Sequence, residues 1–168
     1  MSVAVRRAEP TDADFLLELL RDEDTEPYLG RRGWTREDVL ADVERSRREP
    51  EEFGWYVFEV GGDRAGCVWF RRTNERNRIA EAGRFAVHPS FRGRGVGVEA
   101  ARAFQRHLLR ELGFHRIEIQ VYAFNERAIA HAERSGYVRE GTKRRAYLRN
   151  GQWVDAVLFS LLEEDLDG

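Results

Sequence analysis

Few folds accommodate the stretch FAVHPSFRGRGVG, Phe85 to Gly97. It continues an alternating, strand-like run, IAEAGRFAV (79–87), and opens a run of helical period. From Gly95 to Leu112 the positions Gly97, Ala101, Phe104, Leu108 and Leu112 recur in three- and four-residue steps, and Gly113 ends the run. A strand, a bare turn and a helix in that order make an anion-binding device. The first amides of a helix lack partners inside it, and the helix dipole places about half a positive charge there. Glycines let an anion reach the backbone. Arg92 and Arg94 add guanidinium groups suited to phosphate oxygens.

Two nucleotide-binding patterns are excluded by spacing. Counting from Gly93, the dinucleotide fingerprint needs a third glycine at the sixth place, where Val98 stands. A Walker A loop needs Lys-Ser or Lys-Thr after its last glycine, but Val98 and Glu99 follow Gly97. The spacing that remains is arginine, two residues, glycine, one residue, glycine: Arg92, Gly95, Gly97.

Elsewhere the pattern alternates between strand and helix. The spacing predicts a strand over 3–8 and a helix over 13–21 with Phe15, Leu16, Leu19 and Leu20 on one stripe. Pro27, Gly30 and Gly33 break any period in the loop that follows. Thr35, three residues before Asp38, opens a second helix to about Arg48. Residues 54–60 and 64–72 read as a hairpin around Gly61, Gly62 and Asp63. HRIEIQVYA (115–123) alternates again, Asn125 caps a short helix that Gly136 stops, and two final strands flank Arg149-Asn150-Gly151. The 168 residues fit one domain, 1–168, of mixed strands and helices.

The totals narrow the function. Net charge is −2 and the pI about 6.1, so nothing draws the whole chain to nucleic acid or membrane. No run approaches the roughly 20 apolar residues of a membrane span, and the amino end lacks an apolar signal core, so a soluble, cytoplasmic protein is expected. The single cysteine, Cys67, stands in an apolar run and is expected in the core; it permits neither an internal disulfide nor a thiolate zinc site, and no metal is expected.

The Arg92-Gly95-Gly97 turn after Val87-His88-Pro89 resembles that of the GNAT superfamily, N-acetyltransferases that bind acetyl-coenzyme A. Asn125, Gly136 and Tyr137 match a second family position, and the order strand, two helices, three strands, helix, strand, helix, two strands agrees throughout. The ending GQWVDAVLFSLL and the YLGRRGW loop resemble the ribosomal-protein alanine N-acetyltransferase branch. The resemblance implies an α/β (α+β) GNAT fold, with a mixed sheet of six to seven strands flanked by about four helices. It implies acetyl-CoA as donor and a primary amine as acceptor, either a protein N-terminal amine or a small amine. A homodimer rests on the resemblance alone.

The site residues follow from the same resemblance. Phe85 and Val87 offer backbone groups to the pantetheine arm, and the Val87 amide becomes the donor to the thioester carbonyl. Arg92, Gly93, Arg94, Gly95, Val96 and Gly97 hold the pyrophosphate; Asn125 bonds the pantetheine or only caps its helix. Period-two counting puts the Glu81 side chain on one face with Gly83, Phe85 and Val87, which makes it the expected base, against the plainer reading of a glutamate paired with arginine. His88 and His131 are weaker candidates: His88 suits a turn-shaping role and His131 an exposed helix face. Tyr28, Trp34 and Tyr147 are expected on the acceptor side, though core packing is the other fate of such aromatics. Ala128 and Ala132 stand where the family often carries Ser or Tyr, so no familiar acid is present, with Tyr122 and Tyr147 as substitutes. That departure keeps open a coenzyme A-binding module without turnover. A phosphate reader of nucleic acid is the third reading, and the balancing acidic residues count against it.

Overall fold

The computed structural model describes residues 1–168. Seven strands form one sheet: β1 (Val3–Arg7), β2 (Phe53–Val60), β3 (Asp63–Asn74), β4 (Ile79–Val87), β5 (Arg116–Tyr122), β6 (Val138–Arg149) and β7 (Gln152–Leu162). Their order across the sheet is β1-β2-β3-β4-β5-β7-β6. Only the central pair, β4 and β5, is parallel, and its pairing covers just Ile79–Glu81 against Arg116–Glu118. Four helices flank the sheet: α1 (Ala13–Arg21), α2 (Arg36–Arg48), α3 (Val96–Arg106) and α4 (Glu126–Arg134). The expected element order holds without exception.

Alternation within β2 explains the layering. Phe53, Trp55 and Val57 point to the face covered by α1 and α2, packing with Leu16, Leu19, Val39 and Val43. Tyr56 points to the opposite face, where α3 supplies Phe104. Both faces are therefore apolar, as for a strand covered on two sides. Each such large side chain contributes about 1.5–3 kcal/mol on burial.

Local signals set the turns. Gly61 and Gly62, at φ 60° and 86°, close the β2–β3 hairpin, and Asn150 and Gly151, at φ 50° and 76°, close β6–β7. The Thr35 hydroxyl accepts from the Asp38 amide while the Asp38 carboxylate accepts from the Thr35 amide, the reciprocal cap predicted for α2. The helix expected through Leu112 divides: regular α3 ends at Arg106, and His107–Glu111 form a π-helical turn before Gly113.

Candidate active site

The β4–α3 junction is built from unpaired backbone. Gly95 caps α3 in the left-handed region, at φ 76°, and Gly93 precedes it at φ 74°. The first amide to find an acceptor is that of Glu99, which donates to the Gly95 carbonyl. The six amides of residues 93–98 donate to nothing in the protein. Such a row at a helix start suits an anion such as a pyrophosphate. The Gly97 position differs from its two neighbours. A Cβ there would sit 3.3 Å from His131 Cε1 and 3.4 Å from Val87 Cγ2, so Gly97 permits close packing. Gly93 and Gly95 face open space.

Directly upstream, β4 separates from β5. Beyond Glu81 the β5-facing edge of β4 has no partner strand. The His88 amide donates to the Ala65 carbonyl, and Ala86 stands opposite Cys67. By alternation the amides of Phe85 and Val87 point away from β3, into the opening. An extended chain lying there could add to β4 as a strand does.

A bulge corrects the expected faces. Trp69 stands opposite Gly83 and Cys67 opposite Ala86, so β4 carries one extra residue between them. Arg84, at φ 47°, occupies the kink. Before it, Gly83 lies against the Trp69 ring, on the α1–α2 face. After it, the Phe85 ring stacks on Phe58 at 5.5 Å and meets His131 at 4.7 Å, on the α3–α4 face. Glu81 and the side chains of Phe85 and Val87 therefore do not share a face. Nor can Glu81 and the Val87 amide serve one carbonyl. Arg71 stands opposite Glu81 and Gly66 opposite Val87, five residues apart on β3, about 17 Å at strand rise. Phe85 lies roughly 10 Å along.

On the α1–α2 face a polar cluster surrounds Glu81. Its carboxylate accepts from Gln120 Nε2 at 3.3 Å and pairs with Arg71 at 3.1 Å. The Tyr147 hydroxyl donates to Gln120 Oε1. Burial, then the charge of Glu81, raises the Tyr147 pKa, so the phenol keeps its proton. An aromatic wall continues from there: Tyr147 meets Tyr122 edge-on at 5.7 Å, Tyr122 stacks on Phe124 at 5.3 Å, and Tyr28 tilts over Phe124 at 6.1 Å. Arg149 joins the wall, over Tyr122 and bonded to the carbonyls of Pro27 and Leu29. Tyr28 and Tyr147 thus border one opening with Glu81. Gln120, Tyr122 and Phe124 complete it; the alternation that sends Ile117 and Val121 inward turned Gln120 and Tyr122 toward this side.

Other expected residues are relocated. Trp34 is 3% exposed, within 5.7 Å of Trp55, and belongs to the core rather than to the acceptor side. The Arg92 guanidinium is not a free cation: it bonds Val87 O at 3.0 Å, Asp22 at 2.7 Å and Asp24 at 3.0 Å. That also occupies two acids of the early loop. Arg94 stays exposed, 5.4 Å from the Phe91 ring. Asn125 Oδ1 accepts from the Ala128 amide, capping α4. His88 holds Ser90 and reaches Glu18 at 3.0 Å, fixing the turn. His131 is not on an exposed face. It faces Phe85 and Gly97, and burial, then Arg134 and Arg127, lower its pKa to about 4. Ala132, the place of the absent tyrosine, is 1% exposed among Val121, Val157 and Phe159. Cys67 is fully buried, and burial pushes its thiol up to about 12, which removes it as a nucleophile.

Comparison with known proteins gives the family and the fold. The family model described as "Acetyltransferase (GNAT) domain" matches residues 3–138. A curated Bacillus subtilis protein named "Putative ribosomal N-acetyltransferase YdaF" is 29% identical, over 99% of this chain and 94% of its own length. The Escherichia coli spermidine N(1)-acetyltransferase is 23% identical, over 96% of this chain and 87% of its own. The crystal structure of the Vibrio cholerae spermidine N-acetyltransferase in complex with CoA and spermine superposes with a TM-score of 0.87 at 19% identity, covering 99% of this chain and 98% of that one.

Proposed function

Since the chain belongs to the GNAT acetyltransferase family, it is an N-acetyltransferase that uses acetyl-CoA, and we propose that its acceptor is a primary amine bearing one positive charge, a protein N-terminus or a small amine, admitted beside Glu81. The row of unpaired amides from residue 93 to 98, running into the open edge of β4, carries the donor half of this reading. The acceptor half rests on charge. Glu81 is already paired with Arg71, and its strand neighbour Glu118 with Arg116, while the wall beyond is aromatic and bordered by Arg149. A polyamine would bring several cations to carboxylates that arginines already partner.

When bound, acetyl-CoA supplies an acetyl group activated as a thioester. The amides of residues 93–98 would hold its pyrophosphate, and the Val87 amide and Phe85 carbonyl would align the pantetheine arm. The Phe85 amide, rather than that of Val87, would donate to the acetyl carbonyl oxygen, because only Phe85 lies within reach of a water-bridged Glu81. One such donor contributes about 3–4 kcal/mol to barrier lowering. Glu81 would take the acceptor's proton at its carboxylate oxygen, directly or through a water, as the amine nitrogen bonds the acetyl carbon and the C–S bond breaks. The released thiolate, from a thiol of pKa about 8.5, would leave without a dedicated acid and take its proton from solvent. An α-amine, with pKa near 8, is already about one-tenth neutral at pH 7 and needs only modest help. The Tyr147–Gln120 pair keeps the Glu81 carboxylate turned toward the opening.

The test is release of free thiol from acetyl-CoA across a panel of peptides with free N-termini, small monoamines and polyamines. The reading expects turnover with monoamines or peptides and little with spermidine. Tight coenzyme A binding with no thiol release from any amine would instead favour a binding module.

A further inference from the structure

The Arg84 side chain is placed as no ordinary strand residue is. Its backbone holds a left-handed φ of 47°, uncommon for a non-glycine residue. Its guanidinium enters a cage of three tryptophans, 4.6 Å from the Trp34 ring centroid, 5.0 Å from Trp55 and 4.9 Å from Trp69. Arg84 Nη1 also donates to Asp42 of α2 at 2.8 Å. The Cys67 thiol donates to the Arg84 carbonyl at 3.4 Å, so the main chain is gripped as well. The indole N–H groups of Trp55 and Trp69 are buried without hydrogen-bond partners, so both rings serve through their faces. Three aromatic faces around one cation form a strong and directional anchor.

The anchored residue is the bulge itself. It is the point where β4 changes face, and the next residue is Phe85. Resting on the reading of an acetyl-CoA-dependent enzyme, we propose that Arg84 is a positioning residue: its guanidinium, locked in the Trp34–Trp55–Trp69 cage and by Asp42, holds the kink in β4 that aims the Phe85 amide into the opening. Arg84 touches neither substrate in this arrangement and acts through the backbone. Strain of this kind persists only where its surroundings over-determine it, and it clusters at functional positions. Glycine at position 84 tolerates the same φ, yet leaves the kink without its anchor.

Arg84→Gly separates the two roles. With acetyl-CoA and the best amine of the panel, kcat should fall on the order of tenfold to a hundredfold, the cost of roughly 1 Å of misplacement. Coenzyme A affinity should stay within about twofold, because residues 93–98 supply it. Guanidinium chloride at low millimolar concentration should restore part of kcat, where sodium chloride does not. Hydrogen exchange gives a readout independent of turnover. Coenzyme A should protect the peptide covering 82–88 and that covering 93–98 in the wild type, but only the latter in Arg84→Gly. Equal protection of 82–88 in both proteins, or an unchanged kcat, overturns the proposal. A wild type that binds coenzyme A without protecting 82–88 instead overturns the functional reading. If Arg84→Gly does not fold, Asp42→Asn removes one anchor while keeping the cage: a severalfold lower kcat at unchanged melting temperature supports the proposal, and an unchanged kcat overturns it.

Discussion

Arg92 Nε donates to the carbonyl oxygen of Val87 at 3.0 Å, so the arginine of the glycine turn reaches back to the last residue of β4. Its other nitrogens hold Asp22 and Asp24 of the early loop. Burial works to raise the Asp22 pKa, but hydrogen bonds from Arg92 and Thr25 outweigh it and hold the carboxyl below its ordinary range.

Arg92 and Arg94 are therefore expected to differ on mutation. Arg92→Ala should destabilise the fold by about 1–3 kcal/mol, since it strands the Val87 carbonyl and the largely buried Asp22 carboxylate. Arg94→Ala should leave stability unchanged and weaken coenzyme A binding severalfold, in a salt-dependent way. Urea denaturation and calorimetric titration at two ionic strengths distinguish them.

Glu81→Gln should lower kcat by about a hundredfold or more and leave coenzyme A affinity unchanged. The loss should be smaller for an acceptor of low amine pKa, which arrives already neutral. Steady-state kinetics across a series of amines of graded basicity checks this; a uniform kcat would reduce Glu81 to the partner of Arg71.

At Gly95, φ is 76° and a side chain would face open space. Gly95→Glu should abolish coenzyme A binding, by charge as well as by bulk over the unpaired amides. Backbone strain adds about 1–2 kcal/mol of destabilisation. Gly95→Asn, which tolerates the left-handed region better, should bind weakly and melt close to the wild type. Binding titration with thermal melts separates strain from lost affinity.

His131 makes a prediction about acid. Its folded pKa, about 4, lies below the unfolded value near 6.5, so the unfolded chain binds the proton more readily. Stability is fully present above pH 6.5 and declines as pH falls toward 4, by up to about 3 kcal/mol from this group. In His131→Phe that part of the slope should vanish. Denaturation at pH 7, 5.5 and 4.5 measures it, and an identical slope in the variant would assign the decline elsewhere.

What was legible in the chain and what was not divides along the range of the interactions. Gly93 and Gly95 were readable because a left-handed helix start is local: sequence alone says where only glycine fits. The reciprocal cap at Thr35 and Asp38 was readable for the same reason. The faces of Glu81 and Phe85 were not. Period-two counting is sound until a bulge intervenes, and this bulge depends on Trp34, Trp55, Trp69 and Asp42, all distant in sequence. Trp34 itself stands among glycines and arginines and reads as a loop residue; only the packing of α2 on β2 buries it. Arg92 matched the motif, but Asp22 and Asp24, some seventy positions away, claim its guanidinium.

The two halves of the sheet, β1 to β4 and β5 to β7, meet along a seam only three residue pairs long. They resemble two pages joined at one corner and backed by a core that Phe104 and Leu108 share with both, and a thread laid in the gap would add a further tie. Each catalytic cycle, which must lay that thread down and draw it out again, is then also a cycle of stiffening and loosening for the scaffold itself.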